Sequence, residues 1–166
     1  MKLPFIVRPL FVMVLFAVAV STHAQQSPGY NPTMYQSPSS SPTTPTKEQL
    51  VSGQTIVKAG AYFYEQFAVD RVRNARVTGS FNASGGTSND IEVLLLEESS
   101  FENWKNGHSA PALYSSGHIT SGKIDVLLGQ TGTYYIVFNN VFSQSEKQVF
   151  SDISLTYLPE RSGPDT

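Results

Sequence analysis

Apolar and polar side chains alternate with a period of two along most of the chain after Lys47. In the last such segment Val149, Ile153 and Leu155 share one face, and polar side chains share the other. Since successive side chains of a β-strand point to opposite faces of a sheet, this pattern predicts strands that are buried on one side. We place the strands near 54–58, 61–69, 74–82, 89–96, 111–115, 122–128, 132–139 and 147–158.

Short turn signals separate these strands, and no segment in this region sustains a helical period. Many short strands with turns at such intervals predict an all-β fold, an antiparallel, jelly-roll-like β-sandwich of about eight strands. One short helical turn is expected near 100–106, because Ser99 and Glu102 have the spacing of a capping box and Gly107 can end a helix. Phe101 and Trp104 are three residues apart and should face the same way, closing one end of the sandwich.

The residues before Lys47 differ from the rest in composition. Residues 1–24 carry Lys2 and Arg8, then an apolar run over 10–20, then small residues ending at Ala24, which is typical of a secretory signal peptide. As a helix the run would extend about 16 Å, roughly half of a hydrocarbon core of about 30 Å, so we expect cleavage after Ala24 and hold a retained membrane anchor as the alternative.

The composition and the strand pattern together divide the chain into four segments. The signal peptide is 1–24, and 25–46 is rich in Ser, Pro and Thr and predicts a disordered linker, with a proline-rich ligand as the weaker interpretation. The β-sandwich domain is 47–160, and 161–166 is a disordered tail. We therefore expect a secreted, periplasmic or cell-surface protein that contacts membrane only if the leader is not cleaved.

Charge and cysteine content exclude several classes of function. The formal net charge is −2, and the basic residues are dispersed, so nucleic acid is not an expected partner. The chain has no cysteine, which excludes disulfides, thiolate metal sites and a cysteine nucleophile. The domain must therefore be stabilised by its core alone, and about 110 ordered residues are enough for that.

The stretch 132–143, followed by 146–149 and a long final strand, resembles the closing hairpin of GOLD domains, the β-sandwich modules of early secretory-pathway cargo receptors. Upstream, 57–60 and the strand to Val69 are similar to the opening strands of that fold and of bacterial exported relatives. The receptors' cysteine pair, coiled coil and transmembrane helix have no counterpart here. The resemblance thus implies a fold and non-catalytic binding of proteins or lipids, with no cargo-receptor role. The matching positions are Gly132, Tyr134, Phe138, Asn140, Phe142, Ser143, Lys147 and Val149.

Candidate catalytic and metal-binding residues are few. His108 and His118 lie in polar segments without a neighbouring ligand, and no Gly-x-Ser-x-Gly elbow is present, so we do not expect an enzyme or a cofactor. A Ser-His-Asp triad would have to be assembled by the fold. The 85–90 loop precedes a strand and predicts a hairpin connection. Calcium held by Asn89 and Asp90 is the alternative.

Aromatic side chains are numerous, and most of them, Phe150 included, are expected to pack in the core or on a sheet face. In the strand 61–69, however, Tyr62 and Tyr64 lie on the face opposite Phe63 and Phe67. If these two tyrosines and Tyr135 are exposed, they form a platform for sugar rings or a peptide.

The leading hypothesis is therefore an exported, non-catalytic binding module with an unidentified protein, glycan or envelope component as its partner, docked on an exposed sheet face or a loop end. The first alternative is a carbohydrate-binding module that uses Tyr62, Tyr64 and Tyr135. The second is a small secreted hydrolase, which requires His108 or His118 within hydrogen-bonding distance of a serine and a carboxylate.

Overall fold

The structure is a computed structural model that describes residues 44–160, all within one compact unit, Ser40–Thr166. The predicted signal peptide, most of the predicted linker and the predicted tail lie outside the described residues. Residues 44–160 form eight strands and one helix. The elements are β1 (Thr46–Val57), β2 (Tyr62–Val69), β3 (Val72–Ser84), β4 (Ile91–Glu97), α1 (Glu98–Lys105), β5 (Tyr114–Ile119), β6 (Ser121–Leu127), β7 (Gly132–Asn139) and β8 (Lys147–Pro159).

The strands form two antiparallel four-stranded sheets. Sheet I has the order β1-β8-β3-β6 and sheet II the order β2-β7-β4-β5. The first strand pairs with the last, the second with the seventh, the third with the sixth and the fourth with the fifth, as in a long hairpin that is rolled up. Such rolling of antiparallel strands into two packed sheets is the jelly-roll arrangement. The prediction of an all-β, jelly-roll-like sandwich is confirmed.

The core lies between the inner faces of the two sheets, as the alternating pattern requires. Val77, Ile136, Phe138, Val149 and Ile153 are completely buried there, with two residues from sheet II and three from sheet I. Burial of one such side chain contributes about 1.5–3 kcal/mol, which is how a domain without cysteine is held together.

Strand β1 is longer than the pattern predicts, because it begins at Thr46 and not near residue 54. Its first residues, Thr46 to Gln49, are exposed and pair with the end of β8. An edge strand can be held by main-chain hydrogen bonds to one neighbour, so polar side chains do not prevent its formation. Periodicity of apolar residues does not detect such a segment.

Strand β5 is also displaced, from the predicted 111–115 to Tyr114–Ile119. The sequence Ser116-Gly117, which predicts a turn, is instead a β-bulge between the pairs Glu92–His118 and Leu94–Ser115. Gly117 has φ = +63°, a conformation that glycine adopts without strain. The Ser116 hydroxyl accepts the Val93 N–H at 2.8 Å, so the interrupted ladder keeps this donor satisfied. His118 therefore lies on a strand and not in a connection.

Helix α1 is present near the predicted place, but the capping-box interpretation is wrong. Glu97 is the N-cap and makes no side-chain capping bond, and Ser99 lies inside the first turn. The predicted end is correct, since Gly107 has φ = +78° and donates its N–H to the Trp104 carbonyl at 3.0 Å. The helix packs on the outer face of sheet II, so it does not close one end of the sandwich. Between residues 44 and 160, no helix is long and apolar enough to span a membrane.

Candidate functional site

The predicted tyrosine platform lies on the outer face of sheet II, and helix α1 packs against it. Tyr62 and Tyr64 are half-buried, whereas only 6% of Tyr135 is exposed. The outward-facing Leu94, Leu96 and Val137 complete an apolar cluster with Phe101 and Trp104 of α1. The prediction that these tyrosines share one face is correct, but the condition for an open platform, exposure of all three rings, is not met at Tyr135.

Ring contacts show how closely the helix packs. Phe101 stacks on Tyr135 with ring centroids 4.0 Å apart and planes 7° from parallel. Trp104 meets Tyr62 edge to face at 4.9 Å, and the Tyr64 ring lies 5.0 Å from Phe101. Desolvation raises the pKa of the Tyr62 and Tyr135 phenols above their ordinary value. These rings form a second small core and not a flat, open surface for a ligand.

In the 85–90 loop, for which calcium binding was the alternative to a hairpin connection, an ammonium group of the protein itself contacts the candidate ligand Asp90. The Lys147 side chain is 1% exposed, and its Nζ donates to the Gly85 carbonyl at 2.9 Å and to Asp90 Oδ1 at 3.1 Å. Asn89 Oδ1 accepts the Gly85 N–H at 2.9 Å, so this oxygen closes the loop on itself. The two proposed calcium ligands are thus engaged with groups of the protein.

Hydrogen bonds also keep Asp90 charged. The Ser88 hydroxyl donates to Asp90 Oδ1 and, together with the Lys147 ammonium, holds the pKa of this carboxyl below its ordinary value. No group of three or more acidic, histidine or cysteine side chains that could hold a metal ion occurs within residues 44–160. The arrangement of Asp90 with Lys147 is that of a buried ion pair.

Asn140, one of the positions that resemble GOLD domains, is completely buried between two connections. Its Nδ2 donates to the carbonyls of Val57, Lys58 and Ser145 at 3.2, 3.0 and 2.8 Å. Its main-chain N–H donates to the Ala61 carbonyl at 2.9 Å. The side chain therefore ties the β7–β8 connection to the β1–β2 turn, which lies more than eighty residues earlier.

Four other positions that resemble GOLD domains belong to strands or pack against neighbouring rings. Tyr134 stacks on Phe67 and donates its hydroxyl hydrogen to the Gln130 carbonyl at 2.7 Å, and Phe138 is in the core. Gly132 begins β7. Phe142 is exposed and stacks on the His118 ring, with centroids 3.7 Å apart. Each of the four contributes to the frame of the sandwich or to its surface, and none reaches a cleft with catalytic groups.

The histidines do not form the arrangement that a serine hydrolase requires. Glu92 lies opposite His118 in the strand register, but its carboxylate accepts hydrogen bonds from Asn139 at 2.7 Å and Ser115 at 3.3 Å. Among the residues that the structure describes, neither His118 nor His108 is hydrogen-bonded through its side chain to a serine or a carboxylate. His118 is held by ring stacking.

A shallow groove of about 690 Å³ that is wide open to solvent lies on the outer face of sheet I. Phe150, with 52% of its surface exposed, borders it on β8, and Asp152 follows on the same strand. Asn82 and Ser80 border it from β3, and Lys123 from β6. This place differs from the prediction, in which Phe150 packs together with the other aromatic rings.

The alternation of side chains along β8 already indicates that Phe150 lies on the outer face. Along β8, Val149 and Ile153 point inward, so Phe150 has the same parity as Gln148 and Asp152 on the outer face. An aromatic ring between two polar residues on the solvent side of a strand is an exception to the pattern. We take the groove around Phe150 as the candidate binding site.

In comparisons with known proteins, no family model matches the chain, and no curated protein matches it at a significant level. The resemblance to GOLD domains stays a prediction that rests on the closing hairpin.

Proposed function

We propose that this protein is an exported, non-catalytic binding module that holds its ligand on the outer face of sheet I. The observation that carries the proposal is the exposed Phe150 ring at a groove that Ser80, Asn82, Ser121, Lys123 and Asp152 also border. A single exposed apolar residue is common on protein surfaces. A ring at a groove with hydrogen-bonding groups on both sides is what a ligand site requires.

The two outer faces of the sandwich differ in a way that favours sheet I. Helix α1 covers the aromatic rings of sheet II, and Tyr135 is too buried to contact a ligand. On sheet I the outward side chains of β8 and β6 beside the groove are exposed. This contrast weighs against the alternative that Tyr62, Tyr64 and Tyr135 bind carbohydrate. Within residues 44–160, the lack of a hydrogen bond from either histidine side chain to a serine or a carboxylate weighs against a hydrolase.

The proposal is tested by sedimentation of the purified full chain with the cell-surface fraction of the cells that produce it. Phe150→Ala should lose most of the retention, whereas Leu127→Ala should keep it. Leu127 is a matched control, since it is 60% exposed on the same sheet face but outside the groove. Equal retention of both variants and the wild type would contradict the proposed site.

Export is a separate part of the proposal, supported by the leader-like residues 1–24. Intact mass spectrometry of the protein from its own cells should give a mature chain that begins at Gln25. A mass that includes residues 1–24 would instead support the retained anchor.

A further inference from the structure

Two rows of side chains run across all four strands of sheet I, and their members on β8, β3 and β6 border the groove. Register partners in neighbouring antiparallel strands lie side by side on the same face. The first row is Gln54, Phe150, Asn82 and Ser121, and the second is Ser52, Asp152, Ser80 and Lys123. With neighbouring strands about 4.8 Å apart, each row extends roughly 14 Å from first to last strand. The site is therefore elongated and lies across the strands.

Three of the polar side chains in these rows are free to bind a ligand, whereas Gln54 and Asp152 already bond to Gln148 and Gln49. Within residues 44–160, the side chains of Asn82, Ser80 and Ser121 make no hydrogen bond to another protein group. An amide offers two donors and an acceptor, and a hydroxyl offers a donor and two acceptors. The groove thus presents closely spaced donors and acceptors of both kinds along its length.

Charge in the groove is balanced. Lys123 supplies one positive charge and Asp152 one negative charge, and the carboxylate also accepts a hydrogen bond from Gln49 at 2.9 Å. A ligand with a large net charge of either sign gains nothing here. The balance of the two charges therefore favours a neutral, hydrogen-bonding ligand.

A protein partner fits the face less well. The centre of a protein–protein interface is usually apolar and depleted of charge, with the polar groups at its rim. Here a single ring, Phe150, is surrounded by hydroxyl, amide and charged groups. The negative face of an aromatic ring attracts partly positive C–H groups, and a sugar ring presents these on one face and hydroxyl groups around its edge.

From these observations we infer that the ligand of the groove is a neutral saccharide chain that lies across the strands of sheet I, with one sugar ring stacked on Phe150. This inference rests on the proposed binding function and specifies its ligand. The hydroxyl groups of the sugars bind Asn82 and its neighbours in the two rows.

The test repeats the sedimentation of the full chain after chemical treatment of the surface fraction. Periodate cleaves vicinal diols of sugars, whereas a protease removes proteins. We expect periodate to abolish Phe150-dependent retention and protease to leave it intact. Asn82→Ala should weaken retention severalfold and Phe150→Ala at least tenfold, as expected for the central contact of a site. Leu127→Ala remains the matched control.

Each other result has a distinct meaning. Retention that is abolished by protease and survives periodate overturns the saccharide inference in favour of a protein ligand, while the binding function stands. Retention that depends on salt and is competed by an acidic polysaccharide overturns the neutrality of the ligand. Absence of any Phe150-dependent retention by untreated material overturns the proposed function itself. Thermal unfolding of each variant is measured alongside, because outward-facing residues should change it little.

Discussion

The buried ion pair between Lys147 and Asp90 predicts unequal costs for the removal of its two partners. The ammonium is enclosed, with 1% of the Lys147 side chain exposed, whereas the Asp90 side chain is 20% exposed. A charge that loses its partner is destabilising in proportion to how poorly water can replace that partner. The carboxylate can be solvated after the loss of its partner, but the ammonium can not.

Asp90→Ala should therefore cost about 3–5 kcal/mol, the usual cost of an unpaired buried charge. Lys147→Met keeps most of the apolar stem and leaves Asp90 with water and the Ser88 hydroxyl, so we expect a loss of about 1–2 kcal/mol. The double variant Asp90→Ala/Lys147→Met should be more stable than Asp90→Ala alone, because the unpaired ammonium is gone.

Urea unfolding with linear extrapolation measures all three variants. The reasoning is refuted if Lys147→Met is as destabilising as Asp90→Ala, or if the double variant is the least stable of the three. Either result would mean that packing of the lysine stem matters more than the charge of its end.

The same pair predicts a dependence of stability on pH. The pKa of Asp90 is lower in the folded protein than its ordinary value of 3.8, so the unfolded chain binds the proton more readily. The contribution of Asp90 is therefore complete above the ordinary pKa and is lost as the pH falls through the lowered one. The wild type should lose more stability than Asp90→Asn over this range. Parallel curves in urea titrations would contradict this.

Three further predictions concern the connections, the helix and the alternation of β8. Asn140→Ala should cost about 2–4 kcal/mol in urea unfolding, because one buried and two partly buried carbonyls lose their donor, and full stability would count against a structural role. Trp104 is the single tryptophan, so its fluorescence reports on helix α1 alone. Tyr62→Ala should shift the tryptophan fluorescence to longer wavelength, because the ring that Tyr62 covers becomes more exposed to water, whereas Phe142→Ala should leave it unchanged. Ile153→Ala should cost about 2–5 kcal/mol and Phe150→Ala less than about 1 kcal/mol, and similar costs would refute the assignment of the two faces.

The strands that close the sandwich are the best predicted part of the fold. The predicted 132–139 coincides with β7, and the predicted 147–158 differs from β8 by one residue. Strand β8 alternates buried and exposed positions over its first half, and β7 is an apolar segment that is buried on both faces from Tyr134 onwards. The start of β1 and both ends of β5 were misplaced because main-chain pairing at an edge and a bulge at Gly117 depend on a neighbouring strand.

The candidate site was less predictable than the fold. Alternation places Tyr62 and Tyr64 together and Phe150 with polar residues, but it does not indicate what covers either face. The capping interpretation of 99–102 suggested a helix at the end of the sandwich, and the helix lies instead over the tyrosines. The exposed ring is therefore on the opposite sheet from the one first expected.

By itself, the sequence determined which side chains share a face, that Gly107 can end the helix, and that a core without cysteine must stabilise the domain. These properties follow from the geometry of a strand and the sterics of single residues. Only the tertiary structure decided which outer face stays open, and that Lys147 neutralises a carboxylate 57 residues earlier. Both depend on contacts between segments distant in the chain, which the local pattern of residues does not contain.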